Sequence, residues 1–199
     1  QKQSVTHESI VPSYALLDRR NLNTLPVYQK KCTMLDALCQ GIESWWSINA
    51  NEESRVYSKK AIELIMENKE NYLENTDQGN EAMMLAANYA GHAINITQTT
   101  AAHAMSYKLT SLYKVPHGRA AFMCLPRVWN YMLCHTDQSQ YYAQEELEKI
   151  FNEMLSKFPS LSYQYRYNIN MYKEIISKSN RLIIKGCGGI GKSYFILGT

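Results

Sequence analysis

Glycine and proline are scarce over most of this 199-residue chain. Only Gly41, Gly79, Gly91 and Gly118 precede residue 186, and five of the nine glycines crowd into the last fourteen residues. The body is therefore poor in turns, as helical bundles are. Paired cysteine is also missing. Cys32, Cys39, Cys124, Cys134 and Cys187 form no C-x-x-C pair and leave an odd one over, which predicts free thiols in a reducing, cytoplasmic setting. No run of about eighteen apolar residues is present, which excludes an obvious transmembrane helix. The formal net charge is only +3, too small to argue for nucleic acid or a membrane surface. The opening QKQSVTHESIVPSY has no apolar segment of the secretory kind and no initiator methionine, and it reads as the start of a piece of a larger protein. No internal repeat or low-complexity tract is visible.

The composition that remains is ordinary for a globular domain, with 45% hydrophobic and 20% charged residues, and the length suits one domain with a real core. Residues 1–26 read as an extended lead-in, with a short strand at most near Tyr14–Leu17 and Pro26 placed to start a helix. From Val27 to Ile48, Leu35, Leu38, Ile42, Trp45 and Trp46 recur at three- and four-residue steps, a wide apolar stripe. Asp36 and Gln40 stand one turn apart on one face. An acid beside Leu35 and Leu38 needs a partner, either a buried hydrogen bond or an inter-helix salt bridge. Asn51 is placed to cap a second helix over Ser54–Asn71, and Asp77 a third with a face of Ala82, Leu85, Ala86, Tyr89, Ala90 and Ala93. An amphipathic pair at roughly 139–157 and 169–180 completes the expected bundle.

Residues 97–126, TQTTAAHAMSYKLTSLYKVPHGRAAFMCLP, hold two of the five histidines, His103 and His117. On one continuous helix they would stand about 21 Å apart. Pro116 directly before His117 lacks an N–H and pushes Val115 out of the α region. The stretch thus predicts helix, turn and new helix, with both imidazoles able to face one point. A shared metal or catalytic pocket and two unrelated histidines both fit this spacing. The hydroxyls of Thr97, Thr99 and Thr100 fit helix capping as well as a polar pocket.

Three motifs in order carry a family resemblance: Leu17-Asp18 followed by TLP, then MLDALCQGIESWW, then AAHAMSYKLTSLYKVPHGRAAFMCLPRVWNY. Together, over about residues 10 to 132, they resemble the iron-containing alcohol dehydrogenases. That resemblance implies an all-α fold, like the helical C-terminal domain of that family and of dehydroquinate synthase-like proteins, over residues 27–180. It implies that residues 1–26 are the junction to a dinucleotide-binding domain absent from this chain. The family's metal ligands fall on Asp36, His103 and His117, with Gln40 where a histidine is usual. The implied cofactor is a divalent metal, Fe²⁺ first and Zn²⁺ as the alternative, with NAD(P) bound only through the absent domain. Tyr107 stands where many members place a histidine near the nicotinamide, and is the catalytic candidate. The implied partners are a small aldehyde or alcohol and a second copy in a homodimer, with neither nucleic acid nor membrane.

Within the family, DAL-x-Q, ESWWS-x-N and AMSYKLTSLY resemble a subgroup that reduces phosphonoacetaldehyde to 2-hydroxyethylphosphonate. A phosphonate dianion needs cations and donors. Lys108 and Arg119 are the available cations, with Thr97, Thr99 and Thr100 as donors; a solvated helix face explains either cation equally. The expectation is a metal-bearing half of an NAD(P)-dependent reductase, inactive by itself; the alternative is a metal-free helical remnant or binding module. From about residue 158 the family pattern is no longer visible, and residues 181–199 form an atypical Gly-rich tail. Gly186-x-x-x-x-Gly191-Lys192-Ser193 has P-loop spacing after a strand-like LIIK, but too little chain follows for the rest of a nucleotide-binding fold.

Overall fold

The structure, a computed structural model, describes residues 7–135, 183–185 and 194–196. Five helices make the domain all-α: α1 Val27–Trp46, α2 Glu52–Leu73, α3 Asp77–Thr97, α4 Ala101–Tyr113 and α5 His117–His135. The lead-in holds two short 3₁₀ turns, Glu8–Ile10 and Arg19–Leu22, and no strand near Tyr14–Leu17. The expected helices over 139–157 and 169–180 lie outside the described residues. Among the described residues no helix is long and apolar enough to cross a membrane.

α1 is the centre of the domain and packs against α2, α3 and α5. Its apolar stripe is wide enough that Met34, Leu35, Leu38, Cys39, Ile42, Trp45 and Trp46 are all buried, as expected for a helix surrounded by others. Pro26 sits ahead of it at φ −57°, and its carbonyl accepts the Lys30 N–H at 2.9 Å. α2 starts with a reciprocal cap: Asn51 Oδ1 accepts the Ser54 N–H at 2.8 Å, and Ser54 Oγ accepts the Asn51 N–H at 3.0 Å. α3 is capped by Thr76, whose Oγ1 accepts the Gly79 N–H at 3.0 Å. This corrects the expectation for Asp77, which is the first helical residue; Thr76 has the extended backbone (φ −75°, ψ 151°) that a cap requires. Ala82, Ala86, Ala90 and Ala93 form the buried face of α3, while Leu85 is exposed and Tyr89 half-buried.

The α2–α3 corner is tied to α1 by a buried lysine. Lys30 Nζ donates to the Tyr72 carbonyl (3.1 Å), Asn75 Oδ1 (2.6 Å) and Asn80 Oδ1 (2.8 Å). Burial pushes its pKa down from the ordinary lysine value, and three oxygens satisfy its three donors.

α4 ends at Lys114 in the left-handed region (φ 57°), Pro116 follows, and α5 begins at His117. The predicted helix–turn–helix is therefore present, and Pro126 lies inside α5. Strands β1 Ile183–Lys185 and β2 Tyr194–Ile196 pair antiparallel, with Ile184 opposite Phe195. A phosphate-binding loop of the P-loop kind leads into a helix, whereas Ser193 is followed by a strand that returns along the first. Gly186, Gly191 and Lys192 themselves lie outside the described residues.

Candidate metal centre

Asp36, in the middle of α1, projects toward the place where α4 begins and α5 begins. His103 comes from the first turn of α4 and His117 is the first residue of α5. One ligand atom from each of the three lies within 4.8 Å of the others. His103 Nε2 stands 3.3 Å from Asp36 Oδ1, and His117 Nε2 stands 3.8 Å from the same oxygen. Gln40, one turn along α1, donates its amide to Asp36 Oδ2 at 3.3 Å. The rings of His103 and His117 meet edge to face with centroids 5.3 Å apart.

Gly118 makes this approach achievable. A Cβ at that position would sit 2.1 Å from the Cys32 carbonyl oxygen and 2.6 Å from Asp36 Cβ. Only a residue without a side chain lets the start of α5 lie directly on α1.

Both histidines are held from behind. Ser106 Oγ donates to the His103 carbonyl at 2.7 Å, which leaves it free to accept from His117 Nδ1 at 3.3 Å. His103 Nδ1 pairs with Glu43 Oε2. Glu43 is wholly buried. Its other oxygen accepts the N–H groups of Thr100 (3.1 Å), Ala102 (3.0 Å) and His103 (3.4 Å), and the Thr100 hydroxyl (2.5 Å). Sequence reasoning missed Glu43. The signal was there, since Asp36, Gln40 and Glu43 follow at i, i+4 and i+7, a polar line along one face of an otherwise apolar helix.

Burial alone would push the His103 pKa down, but hydrogen bonds to Asp36 and Glu43, and their negative charge, outweigh it and raise the value to about 9. Without an ion the ring is thus an imidazolium between two carboxylates. A metal ion would take the place of the proton on Nε2. The donor set suits one: two imidazole nitrogens and a carboxylate are ligands for Fe²⁺ or Zn²⁺, and Asp36 is partly open to solvent.

The remaining candidates are placed as follows. Tyr107 lies four residues after His103, and its ring stacks on His117 (5.7 Å, 9°). Thr97 is buried, its hydroxyl within reach of Ser44 Oγ, the Ala93 carbonyl and the Gln98 carbonyl. Thr100 Oγ1 binds Glu43 and accepts from Trp46 Nε1 at 3.1 Å. Thr99 is half-buried. Lys108 is exposed, and five residues past His103 it points about 140° round the helix from it. Arg119 donates to the Tyr28 hydroxyl at 2.7 Å, and Tyr28 precedes Asp36 by about 12 Å of α1. The structure therefore gathers Asp36, Gln40, His103, His117 and Tyr107, and leaves Lys108 and Arg119 outside that cluster. His92 packs on Tyr57, and His7 pairs with Ser9.

A model of the Fe-containing alcohol dehydrogenase family, C-terminal region, matches residues 31–169. The chain belongs to this family. It is 34% identical over 133 residues to a phosphonoacetaldehyde reductase of Streptomyces viridochromogenes, covering 66% of this chain and 34% of that protein. It is 27% identical over 187 residues to a 4-hydroxybutyrate dehydrogenase of Clostridium kluyveri, covering 81% of this chain and 49% of that protein. The chain thus spans half or less of the length of these relatives. Among solved structures, an iron-containing alcohol dehydrogenase of Thermotoga maritima superposes with a TM-score of 0.68 at 28% identity, covering 76% of this chain and 41% of that one. Membership in this iron-containing family implies a metal.

Proposed function

We propose that this chain is the metal-bearing helical half of an NAD(P)-dependent aldehyde reductase, with Asp36, His103 and His117 as the protein ligands and Gln40 beside them. The convergence of those three side chains in a member of this family carries the reading. A divalent ion bound there, Fe²⁺ in first place, supplies Lewis acidity toward a carbonyl oxygen. The chain's own residues do the rest. Asp36 supplies the negative charge, Ser106 and Glu43 orient the two imidazoles, and Tyr107 fixes the His117 ring by stacking and flanks the approach to it. Hydride would come from a nicotinamide, which we do not place on these helices; without one positioned against the substrate they do not reduce aldehydes by themselves.

The substrate class we propose is a short aldehyde with an anionic group at its far end, and phosphonoacetaldehyde is the leading member. The similarity to the Streptomyces reductase supports it, as do the Gln40 and Tyr107 departures from the usual family pattern. The Clostridium relative's name also gives a short acid with a terminal hydroxyl. Lys108 and Arg119 remain the proposed cations for the anionic end, the first exposed and the second resting on Tyr28.

Two measurements test this. Metal analysis of the purified chain is expected to find a stoichiometric divalent ion, lost in His117→Ala; equal retention by both would move the ligand set elsewhere. In an enzyme completed with a nicotinamide-binding domain, Lys108→Ala is expected to raise KM for phosphonoacetaldehyde about tenfold or more, a lost charge-assisted contact, while an uncharged aldehyde of similar size is unaffected. Equal effects on both substrates would remove Lys108 from the anion site and leave the metal reading standing.

A further inference from the structure

We infer that Glu43 is a positioning residue of the metal centre, fixing the tautomer of His103 so that Nε2 presents a lone pair toward Asp36. The inference rests on the reading of Asp36, His103 and His117 as ligands and adds to it a residue that never touches the ion. Glu43 is fully buried, and its two oxygens do different work. Oε1 sits on the N-terminus of α4, where the Thr100, Ala102 and His103 amides and the Thr100 hydroxyl converge on it. Those amides would otherwise be orphan donors, because the Thr100 side chain at the start of α4 makes no capping bond to them. Their positive end also suits a carboxylate. With Oε1 held this way, Oε2 can only lie against His103 Nδ1.

A carboxylate accepts and cannot donate. The ring proton on that side must therefore be on Nδ1, and Nε2, 3.3 Å from Asp36 Oδ1, is the nitrogen left for an ion. His103 sits in the first turn of the helix that Glu43 caps, so one interaction sets both where α4 begins and how its imidazole is turned. Carboxylates behind metal-binding imidazoles typically change affinity by about 10–100-fold when removed.

The discriminating variant is Glu43→Gln. Its amide oxygen can stay on the α4 amides, which turns its NH₂ toward His103 Nδ1. The ring must then accept there and carry its proton on Nε2, the atom that faces Asp36. Titration of the 199-residue chain with Co²⁺, followed by the visible absorption of the bound ion, is expected to show affinity about 10–100-fold weaker in Glu43→Gln, with far-ultraviolet circular dichroism unchanged. His117→Ala run alongside should bind no Co²⁺. Unchanged affinity in Glu43→Gln together with loss in His117→Ala would overturn the role of Glu43 and keep the ligand set. Absence of Co²⁺ binding by the wild type would overturn both. Should Glu43→Gln fail to fold, the wild type decides the matter. ¹⁵N spectra of the Zn²⁺-loaded chain, with His103 assigned through His103→Asn, are expected to show a protonated Nδ1 and a metal-bound Nε2. The opposite tautomer would overturn the inference.

Discussion

Gly118 shows how a single missing side chain decides chemistry several ångströms away. It has no role toward a ligand, yet α5 can rest on the Cys32 carbonyl and Asp36 Cβ only because there is no Cβ between them. Gly118→Ala is expected to force the two helices apart, at a cost of about 1–3 kcal/mol, and to weaken metal binding with it. A lower unfolding midpoint accompanied by unchanged metal affinity would show that His117 reaches Asp36 without this contact. His103 gives the second prediction at this scale. Its folded pKa of about 9 lies above the ordinary 6.5. In the metal-free chain its contribution to stability is thus fully present below pH 6.5 and is lost as the pH rises through about 9. Denaturant unfolding of the chelator-treated chain should show a drop on the order of 2–3 kcal/mol across that window, flattened in His103→Asn. An equal drop in both would place the titrating group elsewhere.

At the scale of elements, the domain is held by how helix ends meet as much as by the apolar stripe. Lys30 closes the α2–α3 corner by filling three acceptors at once. Asn80 also donates to Asn23 Oδ1 at 2.8 Å, tying in the end of the lead-in. Lys30→Met keeps the volume and removes the charge; Asn80 Oδ1 loses its donor, while the Tyr72 carbonyl keeps the Asn75 N–H and Asn75 Oδ1 keeps the Asn80 amide. The expected loss is about 1–3 kcal/mol, read as a lower denaturation midpoint, because the buried Asn80 oxygen cannot turn back to water. Asn51→Ala at the start of α2 is milder. It removes one half of a reciprocal cap and should cost about 1 kcal/mol with metal binding unaltered, since α2 supplies none of the three proposed ligands.

For the molecule as a whole, the proposed metal and the fold are thermodynamically linked. An ion that binds the assembled Asp36, His103 and His117 and not the unfolded chain should stabilise by about 2.7 kcal/mol at a hundredfold excess over its dissociation constant. Thermal unfolding with added Zn²⁺ and then with chelator should move up and back. A midpoint insensitive to both would mean that the cluster holds no ion. The two-strand hairpin of β1 and β2 gives this scale a different lesson. Gly186, Gly191, Lys192 and Ser193 satisfy a spacing, but the backbone that follows Ser193 is a strand, and a phosphate loop without its helix has lost the N-terminus that binds the anion.

Much of the fold was legible from the chain because its signals are local. The three- and four-residue apolar steps of α1, the Asn51 cap and the Pro116 break each act within a turn or two, and each marks an element close to where it is found. The choice between Thr76 and Asp77 was not legible, because both are good caps and backbone angle alone separates them. Asp36, His103 and His117 could be named from motifs that resemble a known family. The spacing of the two histidines by itself favoured two unrelated residues over a shared pocket. Tertiary structure decided what lies behind them. Glu43 meets His103 across sixty residues of sequence, Gly118 matters through the Cys32 carbonyl, and Lys30 finds its acceptors on another helix. Such contacts depend on how close two helices come and how each is rotated. Those are properties of packed surfaces, and no periodicity along a single chain encodes them.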